Sequence, residues 1–369
     1  MSQPLISIVC VVKNRVHTIK RCLDSLISQS YPNKQIIVQD GASTDGTLEI
    51  LKAYGDAIEL ISESDSSLAE GWFRALQRVR GEYFIISFSD EELLPGALEW
   101  GAYQFKLYSG HAAIYGNIYV TDLEGVVERT VKGEDWNYER YICSELIHPP
   151  TAATFFSKKH YDTLKIDSHS CLESEFSIFA GLGLRYPLKY VDAMVAKFAM
   201  HNQALSSQGP SHVRVTLDII RQLKELFKSP FANASLKKLE KRALGGTYLH
   251  GSLQIVNTLG KDCNEKHLKL ALDLLQQALK YEFSSEKLYY VSAIITQQTL
   301  NLIKVNRLEL AYFCIEVLDN LPIPLLGINY IKAVLLKWDG KLEESQKALD
   351  KENSIINSSN NRFVTILSV

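Results

Sequence analysis

The stretch Gln35-Ile36-Ile37-Val38-Gln39-Asp40-Gly41-Ala42-Ser43-Thr44-Asp45-Gly46-Thr47 decides the reading of the fold. Gln35 to Gln39 is a short, largely apolar β-run that stops at Asp40-Gly41 in a cluster of turn formers. Thr47 to Tyr54 then predicts a helix. A strand that runs through a polar turn into a helix is the repeating unit of a parallel α/β sheet. Upstream, Ile6 to Val12 is uniformly apolar or small, the pattern of a strand buried on both faces. Val16 to Ser30 places Ile19, Cys22, Leu23, Leu26 and Ile27 on one helical face. Downstream, Ile58 to Ser62 predicts a strand, Leu68 to Arg80 a helix, and Tyr83 to Phe88 a fourth strand. Three strand-to-helix units in the first 80 residues predict an α/β, doubly wound sheet.

From about Ser211 the texture becomes helical. Val213 to Phe227, Leu236 to Leu259, Glu265 to Tyr281, Glu286 to Ile303, Arg307 to Leu318, Gly327 to Trp338 and Leu342 to Asp350 predict helices. The phrases around Ala311 and Ser345 are alike and lie 34 residues apart, with an earlier copy around Ala271 set 40 before Ala311. That spacing resembles tetratricopeptide helix pairs, with an unrelated helical bundle as the other reading. Asn353 to Asn361 is mostly polar and reads as a frayed tail. The chain therefore divides into residues 1–210, an α/β domain, and residues 211–369, an all-α domain.

The length of 369 residues suits two domains, each long enough to bury a core. Forty Lys and Arg against forty-two Asp and Glu leave a net charge of −2, so no overall cationic field attracts nucleic acid. The six cysteines are scattered without a C-x-x-C pair, which predicts reduced thiols. The apolar run Leu5 to Val12 lacks a basic lead and is too short for a signal or membrane segment. A cytoplasmic protein without a transmembrane segment is expected, with peripheral contact at the inner face of the membrane left open.

In an open parallel sheet, ligands meet the carboxyl ends of the strands. Three such ends are loaded with polar groups: Val12-Lys13-Asn14-Arg15, Asp40 to Thr47, and Ser87-Phe88-Ser89-Asp90-Glu91-Glu92. Strand-end carboxylates can accept from a base or ribose, and paired loop acids suit a hard divalent cation that accompanies phosphates. Together these loops predict a nucleoside-diphosphate and metal site.

Residues 5–100 resemble family 2 glycosyltransferases, the GT-A fold enzymes that transfer a sugar from a nucleotide donor with inversion. The resemblance rests on Ile6-Ser7-Ile8-Val9 through Asn14-Arg15, Gln29-Ser30-Tyr31-Pro32-Asn33, Asp40 to Thr47, Ser62-Glu63-Ser64-Asp65, Gly81-Glu82-Tyr83, and Ser89-Asp90-Glu91 with Leu94-Pro95-Gly96-Ala97-Leu98. It implies a GT-A type doubly wound mixed sheet and a nucleotide set of Val12, Asn14, Asp40, Asp65, Arg74 and Asp90. Asp40 matches the acid that meets the base. Asp90 and Glu91 match the paired acids near the ribose and the Mn2+ or Mg2+, with Glu in place of the usual Asp, and His201 matches a late metal ligand. Arg74 falls where a basic residue lies near the diphosphate, against a solvated helix position as the plain reading. Asp65 and Glu70 match loop acids that could equally make local caps. Asp45 reads as an Asx turn or cap.

Inverting transfer needs one carboxylate to take the acceptor hydroxyl's proton. The resemblance places it after a strand like Thr154-Phe155-Phe156, in Leu172-Glu173-Ser174-Glu175-Phe176. Glu173 is favoured as the base, and Glu175 is read as a cap or salt-bridge residue, since acids at i and i+2 do not share a helical face. His148 reads as a satisfied loop histidine, and Trp72, Trp100 and Trp136 as core or rim packing. The implied activity is metal-dependent transfer from a nucleotide sugar, a UDP-sugar favoured, to a glycan or lipid-linked glycan. Two rivals stand: an inactive GT-A module whose helical half binds protein partners, and a transferase with a protein acceptor.

Overall fold

The computed structural model describes residues 3–164, 175–200, 209–230, 232–258, 264–322, 328–338 and 340–358. The chain forms two compact units, Met1–Ser207 and Gln208–Val369, each described by itself.

The first unit is built on a nine-stranded mixed sheet. Its strands are β1 (Ile6–Val12), β2 (Lys34–Asp40), β3 (Glu59–Ser62), β4 (Tyr83–Phe88), β5 (Glu91–Leu93), β6 (Ala113–Thr121), β7 (Val127–Val131), β8 (Thr154–Ser157) and β9 (Leu188–Ala199). The order is β3-β2-β1-β4-β8-β6-β9-β5, with β7 paired outside β6. Strands β3, β2, β1 and β4 run parallel, and β8 joins β4 antiparallel. The helices are α1 (Ile19–Ile27), α2 (Thr47–Lys52), α3 (Leu68–Leu76), α4 (Ala97–Leu107), α5 (Tyr138–Ile142), α6 (Lys158–Tyr161) and α7 (Phe176–Gly183).

Strand β1 lies between β2 and β4 and is buried along its whole length, as its unbroken apolar run requires. Helix α1 turns Ile19, Cys22, Leu23 and Leu26 onto the same core. Helix α3 stops four residues short of Arg80. There the backbone turns tighten, and the amide of Arg80 is taken by Gln35 Oε1 at 3.1 Å, that of Gly81 by Ser7 Oγ at 2.9 Å. Side chains of the first two strands thus end the helix and launch β4.

Strand β8 carries Phe155 and Phe156, both fully buried. Phe155 packs beneath α4 beside Trp100, and a Cβ at Gly101 would come within 2.5 Å of its ring, so only glycine fits there. Trp72 is buried and Trp136 packs on Gly183 and Tyr141, in keeping with packing roles. The long strand β9 pairs with β6 and then reaches β5, setting Glu91 opposite Phe198. That pairing anchors the Asp90-Glu91 turn at the sheet's carboxyl edge.

The second unit comprises α8 (Gly209–Lys228), α9 (Ala234–Lys237), α10 (Glu240–Asn257), α11 (Glu265–Ala278), α12 (Ser285–Lys304), α13 (Leu308–Asp319), α14 (Ile328–Trp338) and α15 (Leu342–Ser358). Helices α10 and α11, α12 and α13, and α14 and α15 pack as consecutive pairs. The repeated phrases fall on the second helix of each pair. Ala271 and Ala311 are fully buried, and Ser345 is nearly so. Small residues there let the backbones approach: Ser252 Oγ donates to the Ala271 carbonyl and Ser345 Oγ to the Ala333 carbonyl, each at 2.8 Å. Helix α15 runs past its expected end at Asp350 and into the expected tail, as far as Ser358, where buried Glu352 accepts from the backbone and side-chain N–H groups of Asn329 on α14, both at 3.2 Å. Among the described residues no helix is long and apolar enough to cross a membrane. Cys10, Cys22, Cys143 and Cys314 are buried thiols outside any disulfide.

Candidate active site

The loaded strand ends converge at one edge of the sheet. Asp40, the last residue of β2, is fully buried. Its carboxylate accepts from the Ser43 amide at 3.1 Å, from Ser43 Oγ at 2.5 Å and from Ser62 Oγ at 2.7 Å. An ionised buried carboxylate is stable only when so satisfied. Ser43 Oγ in turn accepts from the Asn14 amide at 2.8 Å, and Asn14 Oδ1 accepts from the Thr44 amide at 2.8 Å. Asn14 and Ala42 both hold left-handed backbones, with φ of 53° and 58°. Two strained turns are therefore clamped together through Ser43.

Val12 is part of the apolar core, and its carbonyl accepts from the Gly41 amide at 2.9 Å, so what it offers is turn geometry rather than a side chain. Asp45 accepts from the Thr47 amide, from Thr47 Oγ1 and from the Val16 amide, an Asx turn that joins the first two loops.

Asp65 lies in a slot between two glycines. A Cβ on Gly41 or Gly71 would come within 2.6 or 2.8 Å of its Oδ2. The carboxylate, 5% exposed, pairs with Lys13 Nζ at 3.1 Å. Glu70 closes a capping box at the start of α3: it accepts from the Ser66 amide and hydroxyl while its own amide donates to Ser67 Oγ. The Ser66 hydroxyl, then the Ser66 amide, hold its pKa below the usual range. Arg74 bonds Glu70 and the Ser64 carbonyl and lies 3.5 Å from Glu63, so it braces the Asp65 loop.

Asp90 and Glu91 follow at the β4–β5 turn. Asp90 is half-buried, and its carbonyl accepts from the Ala199 amide. Glu91 is buried, and its Oε2 accepts from the Phe88 amide at 2.7 Å. Burial, and next the charge of Asp90, push its carboxyl well above the ordinary range, with the charge of Glu175 adding to the same shift. Beside it, Arg21 pairs with Glu92 at 2.5 Å.

Glu175 stands just before α7. Its side chain makes no cap hydrogen bond, which corrects the expectation of a cap. It is half-buried, and burial raises its pKa. Its charge adds to the upward shifts of both Glu91 and Tyr141. Glu173 and His201 lie outside the described residues. His148 accepts or donates one hydrogen bond with the Tyr141 hydroxyl at 3.1 Å and packs edge-on against Phe179. Lys13, Ser43, Ser62 and Tyr141 were not singled out by sequence reasoning. Lys13 and Ser43 sit inside polar strand ends that it did flag and Ser62 in a phrase of the resemblance, whereas Tyr141 leaves no signal in the chain.

Mg2+ and Mn2+ characteristically take one or two protein carboxylates and complete their shell with water and substrate phosphates. Among the described residues no three His, Cys, Asp or Glu side chains could hold an ion unaided. Asp90 and Glu91 would fit a cation shared with a diphosphate, because two adjacent acids stand at one strand-end turn and the charge of Asp90 adds to the burial that raises Glu91.

A mixed sheet of this order, with acids at the ends of its parallel strands, has the GT-A type fold. Residues 7–166 match the model of Glycosyl transferase family 2. The chain is similar to EpsE of Bacillus subtilis (strain 168), a protein named as a glycosyltransferase: 35% identity over 103 residues, 27% of this chain and 37% of that one. TuaG of the same organism, named for teichuronic acid biosynthesis, is 33% identical over 101 residues, 26% of this chain and 40% of that one. The chain thus spans two-fifths or less of these relatives' length. Among solved structures, S. aureus TarS 1–349 aligns with 98% of this chain and 94% of its own, with a TM-score of 0.53 and 14% identity. The mannosyltransferase PcManGT from Pyrobaculum calidifontis, in complex with GDP-Man and Mn2+, aligns with 97% of this chain and 89% of its own, with a TM-score of 0.52 and 13% identity. At such identities the likeness is one of fold.

Proposed function

We propose that this protein transfers a sugar from a nucleoside-diphosphate donor, a UDP-sugar, to a hydroxyl of a glycan or lipid-linked glycan, with inversion, in polysaccharide assembly. The observation that carries the reading is the set of acids at the carboxyl ends of the parallel strands, Asp40 on β2 and Asp90 with Glu91 after β4, in a segment that matches the family 2 model, with the charge of Glu175 felt at Glu91. The names of EpsE and TuaG, and a complex of TarS 1–349 with UDP-GlcNAc at a TM-score of 0.50, support the donor and acceptor classes.

Asp40 and the Ser43 clamp shape the base end of the cleft, and the Lys13–Asp65 pair closes its side. Asp90 and Glu91 would hold a divalent cation, which supplies charge neutralisation for the departing diphosphate. Glu175 is the base among the described residues: its carboxylate takes the proton of the acceptor hydroxyl as that oxygen bonds the anomeric carbon. The bond from that carbon to the diphosphate oxygen breaks, and its electron pair leaves with the diphosphate. One displacement inverts the centre without a covalent intermediate. A carboxyl raised by burial is a stronger base than a free one, which suits this role.

The test is thermal melting with UDP, GDP and dTDP, each with and without Mn2+, followed by product analysis with the matching sugar nucleotide. A nucleotide at about 100 times its dissociation constant adds roughly 2.7 kcal/mol to the folded state. A Mn2+-enhanced shift with one nucleotide is expected. No shift with any of them would sink the proposal.

A further inference from the structure

One end of the second unit is strongly basic. Between residues 221 and 242 the chain carries seven basic residues against two acids, Glu225 and Glu240, although its net charge as a whole is −2. Five of the seven, Lys224, Lys228, Lys237, Lys238 and Lys241, are exposed. Among the described residues none of these five enters an ion pair, and Glu225 is already held by Arg221 at 2.9 Å.

The packing of α8 on α10 gathers the lysines in space. A Cβ on Gly251 of α10 would collide with the side chain of Thr216 on α8, so the two helices touch there. The link 229–239 contains a tight turn at Ser229 and the short helix α9, and a chain so coiled cannot span the gap that parallel helices would leave. The helices therefore run antiparallel. Twelve residues on from Thr216 stands Lys228, and twelve back from Gly251 stands Leu239, so the end of α8 meets the start of α10. Lys224 and Lys228 lie one turn apart on α8, and Lys237, Lys238 and Lys241 stand where α9 passes into α10. From Ala243 to Leu249 helix α10 is buried, so only its first turn reaches the surface. Helix α11 returns beside it, with the Glu282 carbonyl against Gly245, and brings Lys280 and Glu282, one charge of each sign.

Ammonium groups crowded without counter-charges repel one another, and a negative surface relieves that repulsion. The exposed set is lysine throughout. A compact charge on a flexible stem responds to charge density, whereas the planar fork of arginine suits one shaped phosphate or carboxylate. Five such groups at one end of a helix pair fit a broad anionic plane, and a leaflet of acidic phospholipids is such a plane. A lipid-linked acceptor is presented at that kind of surface.

We propose that the lysine-bearing end of α8 and α10 is a docking surface for acidic phospholipid headgroups, which holds the protein against the bilayer that presents its acceptor. The choice of a membrane as partner rests on the lipid-linked reading of the acceptor given above.

The test is co-sedimentation of the full chain with vesicles of phosphatidylcholine alone and of phosphatidylcholine mixed with phosphatidylglycerol. Wild type is compared with Lys224→Gln/Lys228→Gln, with Lys237→Gln/Lys238→Gln and with a control, Lys266→Gln/Lys304→Gln. The control lysines are exposed as well, near the start of α11 and at the end of α12, the end of the unit marked by the Arg307–Glu265 pair. A lysine at a charged surface is worth about fivefold in affinity, so each patch variant should bind the acidic vesicles roughly 25-fold more weakly. The control should bind as wild type does, and all melting temperatures should agree. Wild-type binding should vanish on neutral vesicles and fall steeply as salt rises from about 0.1 to about 0.5 M. Equal binding to neutral and acidic vesicles, wild-type binding by the patch variants, or an equal loss in the control would each overturn the proposal. Lysine-dependent capture of an RNA oligonucleotide in place of vesicles would also overturn it, and would assign the patch to nucleic acid. The assay needs no sugar nucleotide. Lysine-dependent vesicle binding by a protein that shows no melting shift with any nucleotide would keep the docking surface and bring down the transferase reading alone; a nucleotide shift without vesicle binding would do the reverse.

Discussion

Replacing Ser43 by alanine removes one hydroxyl that serves two loops. It donates to the buried Asp40 carboxylate at 2.5 Å and accepts from the Asn14 amide at 2.8 Å. A hydrogen bond to a charged group contributes about 1.5–3 kcal/mol and a neutral one about 0.5–1.5 kcal/mol. The Asn14 side of the clamp is open to solvent, so water recovers part of the second bond. The lower end of the sum, roughly 2–3 kcal/mol, is the expected loss for Ser43→Ala. For a unit of this size each kcal/mol lowers the melting temperature by about 2–4 °C, which gives a drop of roughly 4–12 °C in the transition of the first unit. Freed of the clamp, Asn14 and Ala42 relax from their left-handed backbones, and UDP affinity should fall with stability. Differential scanning calorimetry with and without UDP reads both effects. Ser28→Ala, which removes only an exposed 3.3 Å bond, is the control. A melting temperature for Ser43→Ala within 1 °C of wild type would refute the clamp and the assignment of these loops to the nucleotide.

Glu175→Gln should abolish most transfer while leaving UDP affinity intact; in wild type, kcat should fall as acid protonates Glu175, at a pH above that of an ordinary glutamate because its pKa is raised by burial. A pH–rate profile whose acid limb sits at the ordinary carboxylate value removes Glu175 from that role. Glu91 is also raised, first by burial and next by Asp90, so the folded state binds its proton more tightly than the unfolded chain. Its contribution to stability is greatest below the unfolded pKa of about 4.5 and is lost as pH rises through the folded value. Glu91→Gln should therefore gain melting temperature relative to wild type at pH 8 over pH 5, and an equal difference at both pH values would contradict this. Gly71→Ala places a methyl 2.8 Å from Asp65 Oδ2 and 3.3 Å from Val11, so it should dislodge the Lys13–Asp65 pair and weaken UDP binding, as titration can show. Wild-type affinity in that variant would mean that the slot around Asp65 has no part in nucleotide binding.

Much of the site was legible because its residues stand at positions marked by local rules. Asp40, Asp45, Asp90 and Glu91 each follow a strand, and a polar group at a strand end is visible in the chain. The readings of Asp45 as an Asx turn and of His148 as a bonded loop residue needed only short-range partners. Arg74 and Glu70 show the limit of such rules. Their spacing of four is plain in the sequence, but whether Arg74 turns to a ligand or to Glu70 and Ser64 depends on where the Asp65 loop lies. Helix α3 was read four residues too long because its end is set by Gln35 and Ser7, which reach it from distant strands.

By itself the sequence determined the alternation of strand and helix, the change to helical texture after residue 211, and the polar groups at three strand ends. Apolar periodicity and turn chemistry are local properties, written in consecutive residues. Tertiary structure alone decided which carboxylates share a neighbourhood. Glu91 and Glu175 are 84 positions apart, and only the pairing of β9 with β5, together with the placing of α7, brings the charge of one to bear on the other. It also decided that Asp65 lies between two glycines, since burial and distance belong to the packed chain.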